Sequence, residues 1–96
     1  MAQKLTSIRL PVQFMKQKNR YIAYTPLLDL STSGRSEIEA KKRFTEIVDI
    51  FFEEIIAAGT LDTVLGELGW KKISQNWQPP RIISQKSIDL KIPALA

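Results

Sequence analysis

The sequence predicts an α+β domain: a three-stranded antiparallel sheet with one long helix packed across it, then a short second helix and one or more later strands. Three observations carry this prediction. Before Pro26 the apolar residues alternate with polar ones, the period of a strand with one covered face. After Ser36 they recur at spacings of three and four, the period of a helix with one covered face. Between the two stretches stand Pro26, Gly34 and short polar residues, which end strands and start helices.

Met1 to Thr6 show no period and read as a frayed start. From Ser7, Ile8, Leu10, Val12 and Phe14 alternate with Arg9, Pro11, Gln13 and Met15, which predicts the first strand. Pro11 has no amide hydrogen for a ladder, so this strand is expected at an edge, or with Pro11 turned away from its neighbour. Lys16 to Asn19 are polar, and Asn19 tolerates a left-handed backbone, so a short hairpin turn follows. The second strand, Arg20 to Thr25, sends Tyr21, Ala23 and Thr25 to one face and Ile22 and Tyr24 to the other. Leu27 to Ser33 read as a third short strand, in which Leu28, Leu30 and Thr32 alternate with Asp29, Ser31 and Ser33 until Gly34 closes it.

Ser36 and Glu39 have the spacing of a capping box, the hydroxyl accepting from the Glu39 amide and the carboxylate reaching back to the Ser36 amide. In the helix that follows, Ala40, Phe44, Ile47, Val48, Phe51, Ile55 and Ala58 form the inner stripe, while Glu39, Lys42, Arg43, Glu46, Asp49 and Glu53 fall opposite. Ile38, Phe52 and Ile56 flank the stripe and Ile50 lies nearer the polar side, so the apolar arc is wider than one small sheet needs. Gly59 is expected to cap the helix, and Thr60 to start a short second one with Leu61, Val64, Leu65 and Leu68, ending at Gly69. Trp70, Ile73 and Trp77 suggest an extended segment broken by Pro79 and Pro80. Ile88, Leu90 and Ile92 then alternate with Asp89 and Lys91 as a strand does, suited to a remote edge or a second subunit. The expected organisation is a single domain over residues 1–96, with 79–96 as an extended tail.

Composition narrows function. The chain of 96 residues supports one core, thin enough that association with another chain adds useful burial. There is no cysteine, hence no disulfide and no thiolate chemistry, and no histidine, the commonest general base and metal ligand. Neither a signal peptide nor a run of roughly 20 apolar residues is present, so a soluble, cytoplasmic protein is expected. The carboxylate pairs Glu46 with Asp49 and Asp49 with Glu53 lie on one exposed helix face, whereas a cation site recruits ligands from several elements. The expectation is a protein that is not an enzyme and takes no cofactor and no metal.

The net charge of +4 is unevenly placed. Residues 1–35 hold six basic side chains against one acidic, residues 36–69 three against eight, and residues 70–96 five against one. The middle of the chain is acidic and its ends are basic. The surplus apolar residues Ile50, Phe52 and Ile56, with Ile88, Leu90 and Ile92, are the candidate contacts of a homodimer or larger oligomer.

The run from Arg20 to Ile55 resembles the HicB-like antitoxin family, whose members read as aromatic-x-Ala-aromatic-x-Pro, a polar stretch to Gly, then a capped helix with an early Ala. Here those places are Tyr21 to Pro26, Gly34, Ser36 and Ala40, and Glu67 to Trp70 with Pro79 and Pro80 look like what some members carry after the helix. The resemblance implies a partial ribonuclease H-like fold and a partner: a small basic HicA-type toxin, a messenger-RNA interferase that the protein binds and neutralises. Many members also repress their own operon through a C-terminal DNA-binding domain. After Trp70 no pair of helical periods follows, which puts DNA binding in doubt. Ribonuclease activity is not implied either, because Asp29 is the sole acidic residue among the first thirty-five.

Under this reading Glu46, Asp49 and Glu53 steer the toxin, and Tyr24, Asp29, Trp70 and Trp77 complete the contact. The alternative is a nucleic-acid-binding module that uses the basic ends and stacks bases on Trp70 and Trp77. A Trp that closes a small core is the commoner use of that residue. A third reading is a relative in fold alone, serving a different protein partner.

Overall fold

The computed structural model describes residues 7–94. The frayed start expected over Met1 to Thr6 lies outside them. Three strands, β1 (Gln13–Gln17), β2 (Arg20–Thr25) and β3 (Leu30–Gly34), precede the long helix α1 (Glu37–Ala57) and the short helix α2 (Leu61–Glu67). A small hairpin of β4 (Lys71–Ile73) and β5 (Asn76–Gln78) follows. The first three strands form one antiparallel sheet with β2 in the centre, the predicted α+β arrangement.

The register corrects the first strand. Its ladder begins at Gln13 rather than Ser7, and Lys16 and Gln17, expected in the turn, pair with Tyr21 and Arg20. The turn is only Lys18 and Asn19, and Lys18 rather than Asn19 takes the positive φ, at 55°. Pairing these polar residues lets the Lys16 ammonium sit over the Tyr21 ring, 5.6 Å from its centroid. Residues 7–12 form no strand, yet Leu10 and Val12 keep the inward alternation that Phe14 continues.

β2 occupies its predicted span, and Ala23 and Thr25 are fully buried towards the helix. Pro26 to Asp29 make a turn, so the third strand starts three residues later than expected. Asp29 takes φ 50°, a conformation that Asp tolerates, and the turn drives Leu27 and Leu28 into the core.

β3 meets α1 backbone to backbone. A Cβ built on Gly34 would stand 2.6 Å from the Ala40 amide nitrogen, so only glycine fits here, and Ala40 itself is fully buried. α1 starts as predicted, the Ser36 hydroxyl accepting from the Glu39 amide at 3.1 Å. The reciprocal bond differs: the Glu39 carboxylate accepts from the Arg35 amide, one residue before the cap.

Both helices end in Schellman motifs. Thr60 N–H donates to Ile55 C=O and Gly59 N–H to Ile56 C=O; Trp70 and Gly69 repeat the pattern on Leu65 and Gly66. Gly59 and Gly69 supply the positive φ values of 71° and 89° that these caps need. Ala58, expected in the stripe, is exposed because it is the cap residue. Thr60 makes no side-chain cap for α2; its hydroxyl donates back to the Ile55 carbonyl instead.

The core has two parts. Ala23, Ala40 and Phe44 join sheet to helix, while Leu28, Ile55, Leu65 and Trp70 join the turn, both helices and the start of β4. The extended segment predicted after Gly69 is a hairpin whose turn residues, Ser74 and Gln75, both take positive φ. Beyond Gln78 no helix or strand occurs up to residue 94, and the strand-like stretch at Ile88 to Ile92 pairs with none of the described residues. The molecule extends over 59 × 29 × 22 Å, with a radius of gyration of 16.5 Å. A compact chain of this length has a radius of about 12.5 Å.

Candidate functional site

The most distinctive surface is the face of α1 turned away from the sheet. The inner stripe holds Ala40, Phe44 and Ile55 buried, with Ile47, Val48 and Phe51 half-buried, so the 3.6-residue period turns Glu46, Asp49, Ile50, Glu53 and Glu54 outward, and all five are exposed. Ile50 is 50% exposed, with Glu46 one turn before it and Glu53 and Glu54 one turn after. The result is an apolar knob among carboxylates.

Glu46, Asp49, Glu53 and Glu54 form no ion pair among the described residues. Among the described residues the one salt bridge is Arg43 to Glu39, at 3.3 Å near the start of the helix. The last turn of α1 contains no basic residue, so Glu53 and Glu54 lie beside the negative end of the helix macrodipole. Like charge there works against the helix, typically by 0.3–1 kcal/mol per group.

The arginines nearest to this face are occupied elsewhere. Arg20 donates to the Ser33 hydroxyl at 3.0 Å, and Arg43 to the Ser33 carbonyl at 3.2 Å while bridging Glu39. The Glu39 carboxyl is held below the usual carboxylate range, chiefly by the bond from the Arg35 amide and further by the charges of Arg43, Arg35 and Arg20. Part of the basic charge thus clamps β3 to the start of α1.

The other predicted site residues do not converge on the acidic face. Tyr24 and Asp29 are joined, the phenol donating to the carboxylate at 3.3 Å. Partial burial, followed by the Asp29 charge and hydrogen bond, raises the Tyr24 pKa and keeps the phenol protonated. Because Ala23 and Thr25 face the helix, Tyr24 points to the opposite side of the sheet, so sheet and helix separate it from Glu46, Asp49 and Glu53.

Trp70 leaves the candidate surface altogether. It is buried, its indole Nε1 donates to the Leu27 carbonyl at 2.7 Å, and Phe52 meets it edge to face at 6.5 Å. It closes the core and cannot stack a base. Phe52 likewise packs inside its own chain. Trp77 is half-buried against the same cluster with the Lys72 ammonium 5.9 Å from its ring centroid. Of the proposed oligomer residues, Ile50 and Ile56 are exposed on α1, and Ile88, Leu90 and Ile92 are exposed on the 79–94 segment.

Glu54 belongs to the acidic face and was missing from the predicted set. Its position four residues after Ile50 and eight after Glu46 is the signal that places it there. No group of residues suited to holding a metal ion occurs among the described residues. Nor, among them, is any helix long and apolar enough to cross a membrane.

None of the family models, curated proteins and solved structures compared with the chain matches it. The site therefore rests on its own chemistry, that of a rigid anionic platform suited to a cationic partner.

Proposed function

We propose that this protein is an antitoxin-like interaction protein that binds and neutralises a small basic HicA-type messenger-RNA interferase. The observation that carries the reading is the acidic face around Ile50, whose carboxylates form no ion pair among the described residues, on a protein whose net charge is +4. Glu53 and Glu54, beside the negative end of α1, weaken that helix, and local choices that cost stability concentrate where function needs them. The order Tyr21 to Pro26, Gly34, Ser36 and Ala40 supports the same reading through its resemblance to HicB-like antitoxins.

Capture follows from the charges. A surface that grips RNA phosphates is cationic, and the carboxylates of α1 compete for the same groups. Their long-range field speeds encounter by roughly 10-fold to 1000-fold at low salt. Ile50, desolvated on docking, then slows release, because affinity concentrates in a few central apolar anchors. The Gly34–Ala40 contact and the Ser36 cap hold the helix as a preformed platform, so little ordering entropy is spent on binding.

The partner is sought as a short, basic, histidine-containing reading frame beside this one. Co-expression should rescue growth, and reversing Glu46, Asp49 and Glu53 to Lys together should slow association at least tenfold while leaving the fold intact. A capture rate unchanged by the triple reversal, or growth arrest that co-expression does not relieve, would sink the proposal.

A further inference from the structure

Among the described residues the sheet leaves one edge of β1 open, and the chain carries a strand-like stretch that pairs with none of them. α1 lies over β2 and β3 and to one side of β1, which leaves the inner face of the first strand and its arm incompletely covered. Leu10, Val12 and Phe14 therefore line one wall of an open groove of about 330 Å³, with Lys41, Phe44 and Thr45 of α1 along the other. Among the described residues the outer edge of β1 has no neighbour.

That edge is competent to pair. Gln17 and Arg20 flank a two-residue turn, so their amides and carbonyls bond to each other, and alternation directs the amides and carbonyls of Phe14 and Lys16 to the open side. Pro11 falls on the other parity, towards β2 and beyond the end of the ladder, so its missing amide hydrogen does not interrupt the outer edge.

The unpaired strand-like stretch is in the 79–94 segment. Pro79 to Ile82 share a groove with Arg9, Pro11 and Leu27, so the segment leaves the body beside the arm that leads into β1. From Ile83 onward every described residue is exposed, and Ile88, Leu90 and Ile92 are 75%, 78% and 81% exposed. These three residues repeat the period-two spacing of Leu10, Val12 and Phe14. With Ile88, Leu90 and Ile92 turned into the groove, Asp89 and Lys91 face water.

We propose that two copies exchange these segments reciprocally, the Ser87 to Ile92 stretch of each adding a fourth strand along β1 of the other and closing its groove. The occupant is a second copy because donor and acceptor are both present on one chain with matching spacing, and because Ile88, Leu90 and Ile92 stay exposed and so do not fill the groove of their own chain. An isologous pair satisfies both at once. Each copy contributes its donated segment and its groove and edge, roughly twenty residues, the low end of a specific interface of about 800 Å² per partner. No toxin enters this proposal, and its test contains none.

Sedimentation of the full chain should give a dimer at micromolar concentration. Leu90→Lys, at a position that packs on nothing in its own chain, should weaken the dimer at least tenfold with an unchanged thermal melt. Because the chain lacks cysteine, Leu90→Cys and a size-tagged Thr45→Cys can be mixed and oxidised, and a disulfide between the two species is expected. A monomeric wild type, a dimer indifferent to Leu90→Lys, or no disulfide between the mixed species would each overturn the exchange. So would a monomeric disulfide in the Leu90→Cys/Thr45→Cys double variant under conditions where the mixed species fail to link, which would mean that the segment folds back on its own groove.

Discussion

Replacing Gly34 by alanine tests the contact that sets α1 on the sheet. The added Cβ would lie 2.6 Å from the Ala40 amide nitrogen, 3.0 Å from the Glu39 carbonyl carbon and 3.1 Å from Ala40 Cα. All three are backbone atoms, so no side-chain rotation relieves the clash. The closest distance must lengthen from 2.6 Å to about 3.4 Å, which lifts the start of α1 away from Ala23 and disturbs the Ser36 cap. Overpacking costs about 1–3 kcal/mol, and a clash between two backbones belongs at the upper end. For a domain of this size each kcal/mol lowers Tm by about 4–8 °C, so Gly34→Ala should melt about 10–20 °C below the wild type in circular dichroism. Gly66→Ala is the control, because a Cβ there meets nothing within 4 Å and a helical glycine replaced by alanine gains about 0.5–1 kcal/mol. Ala40→Gly should not rescue Gly34→Ala, since the clash is with Ala40's backbone rather than its methyl group. An unchanged melt for Gly34→Ala, or rescue by Ala40→Gly, would refute this account of the close approach.

Further outcomes follow from the same contacts. Glu53→Lys with Glu54→Lys should raise thermal stability, by about 0.3–1 kcal/mol per site, while slowing capture of a basic partner; a loss of stability in urea titrations would contradict the opposing-charge argument. Trp70→Phe removes the bond to the buried Leu27 carbonyl and should cost about 1–3 kcal/mol in the same titrations, whereas a near-neutral result would show that the carbonyl finds another donor. The Glu39 carboxyl is shifted below its ordinary 4.5, so the folded state binds fewer protons there than the unfolded state does. Its stabilisation is present above that ordinary value and lost as the pH falls through the lowered one. Glu39→Gln should therefore flatten the acid side of a stability-against-pH curve, and an acid limb identical to the wild type's would count against the Arg35 bond.

The fold was legible where a local rule and the tertiary contact agree. The capping residue Ser36, the helical stripe and the glycines at both helix ends are local chemistry, so one sequence suffices to find them. The register of β1 was not, because a two-residue turn at Lys18 and Asn19 and a longer turn there leave the same alternation and differ only in which polar residues pair. Gly34 read as the end of a strand, and its second role depends on a helix backbone six residues later. Trp70 was ambiguous for a related reason. Its composition context, two lysines next to it, suggested an exposed ring, but the bond to Leu27 spans forty-three positions and has no local signature.

The two proposed contacts use different surfaces, which makes them compatible in one assembly. Exchange occupies the β1 edge and the groove at Val12, Phe14 and Thr45, whereas capture uses Glu46, Asp49, Ile50, Glu53 and Glu54 on the solvent side of α1. Around the helix axis Thr45 lies about 100° from Glu46, about 80° from Glu53 and about 180° from Glu54 but only about 40° from Asp49, so a strand seated in the groove leaves Glu46, Glu53 and Glu54 uncovered and passes nearest Asp49. Dimerisation would then present two acidic platforms on one particle and raise avidity for an oligomeric partner without any new contact. The charge pattern agrees with this division. The stretch that exchanges, Ser87 to Ile92, carries Lys91 against Asp89 and so no net charge, and the face that captures carries four carboxylates, so the two surfaces differ in the partner they select.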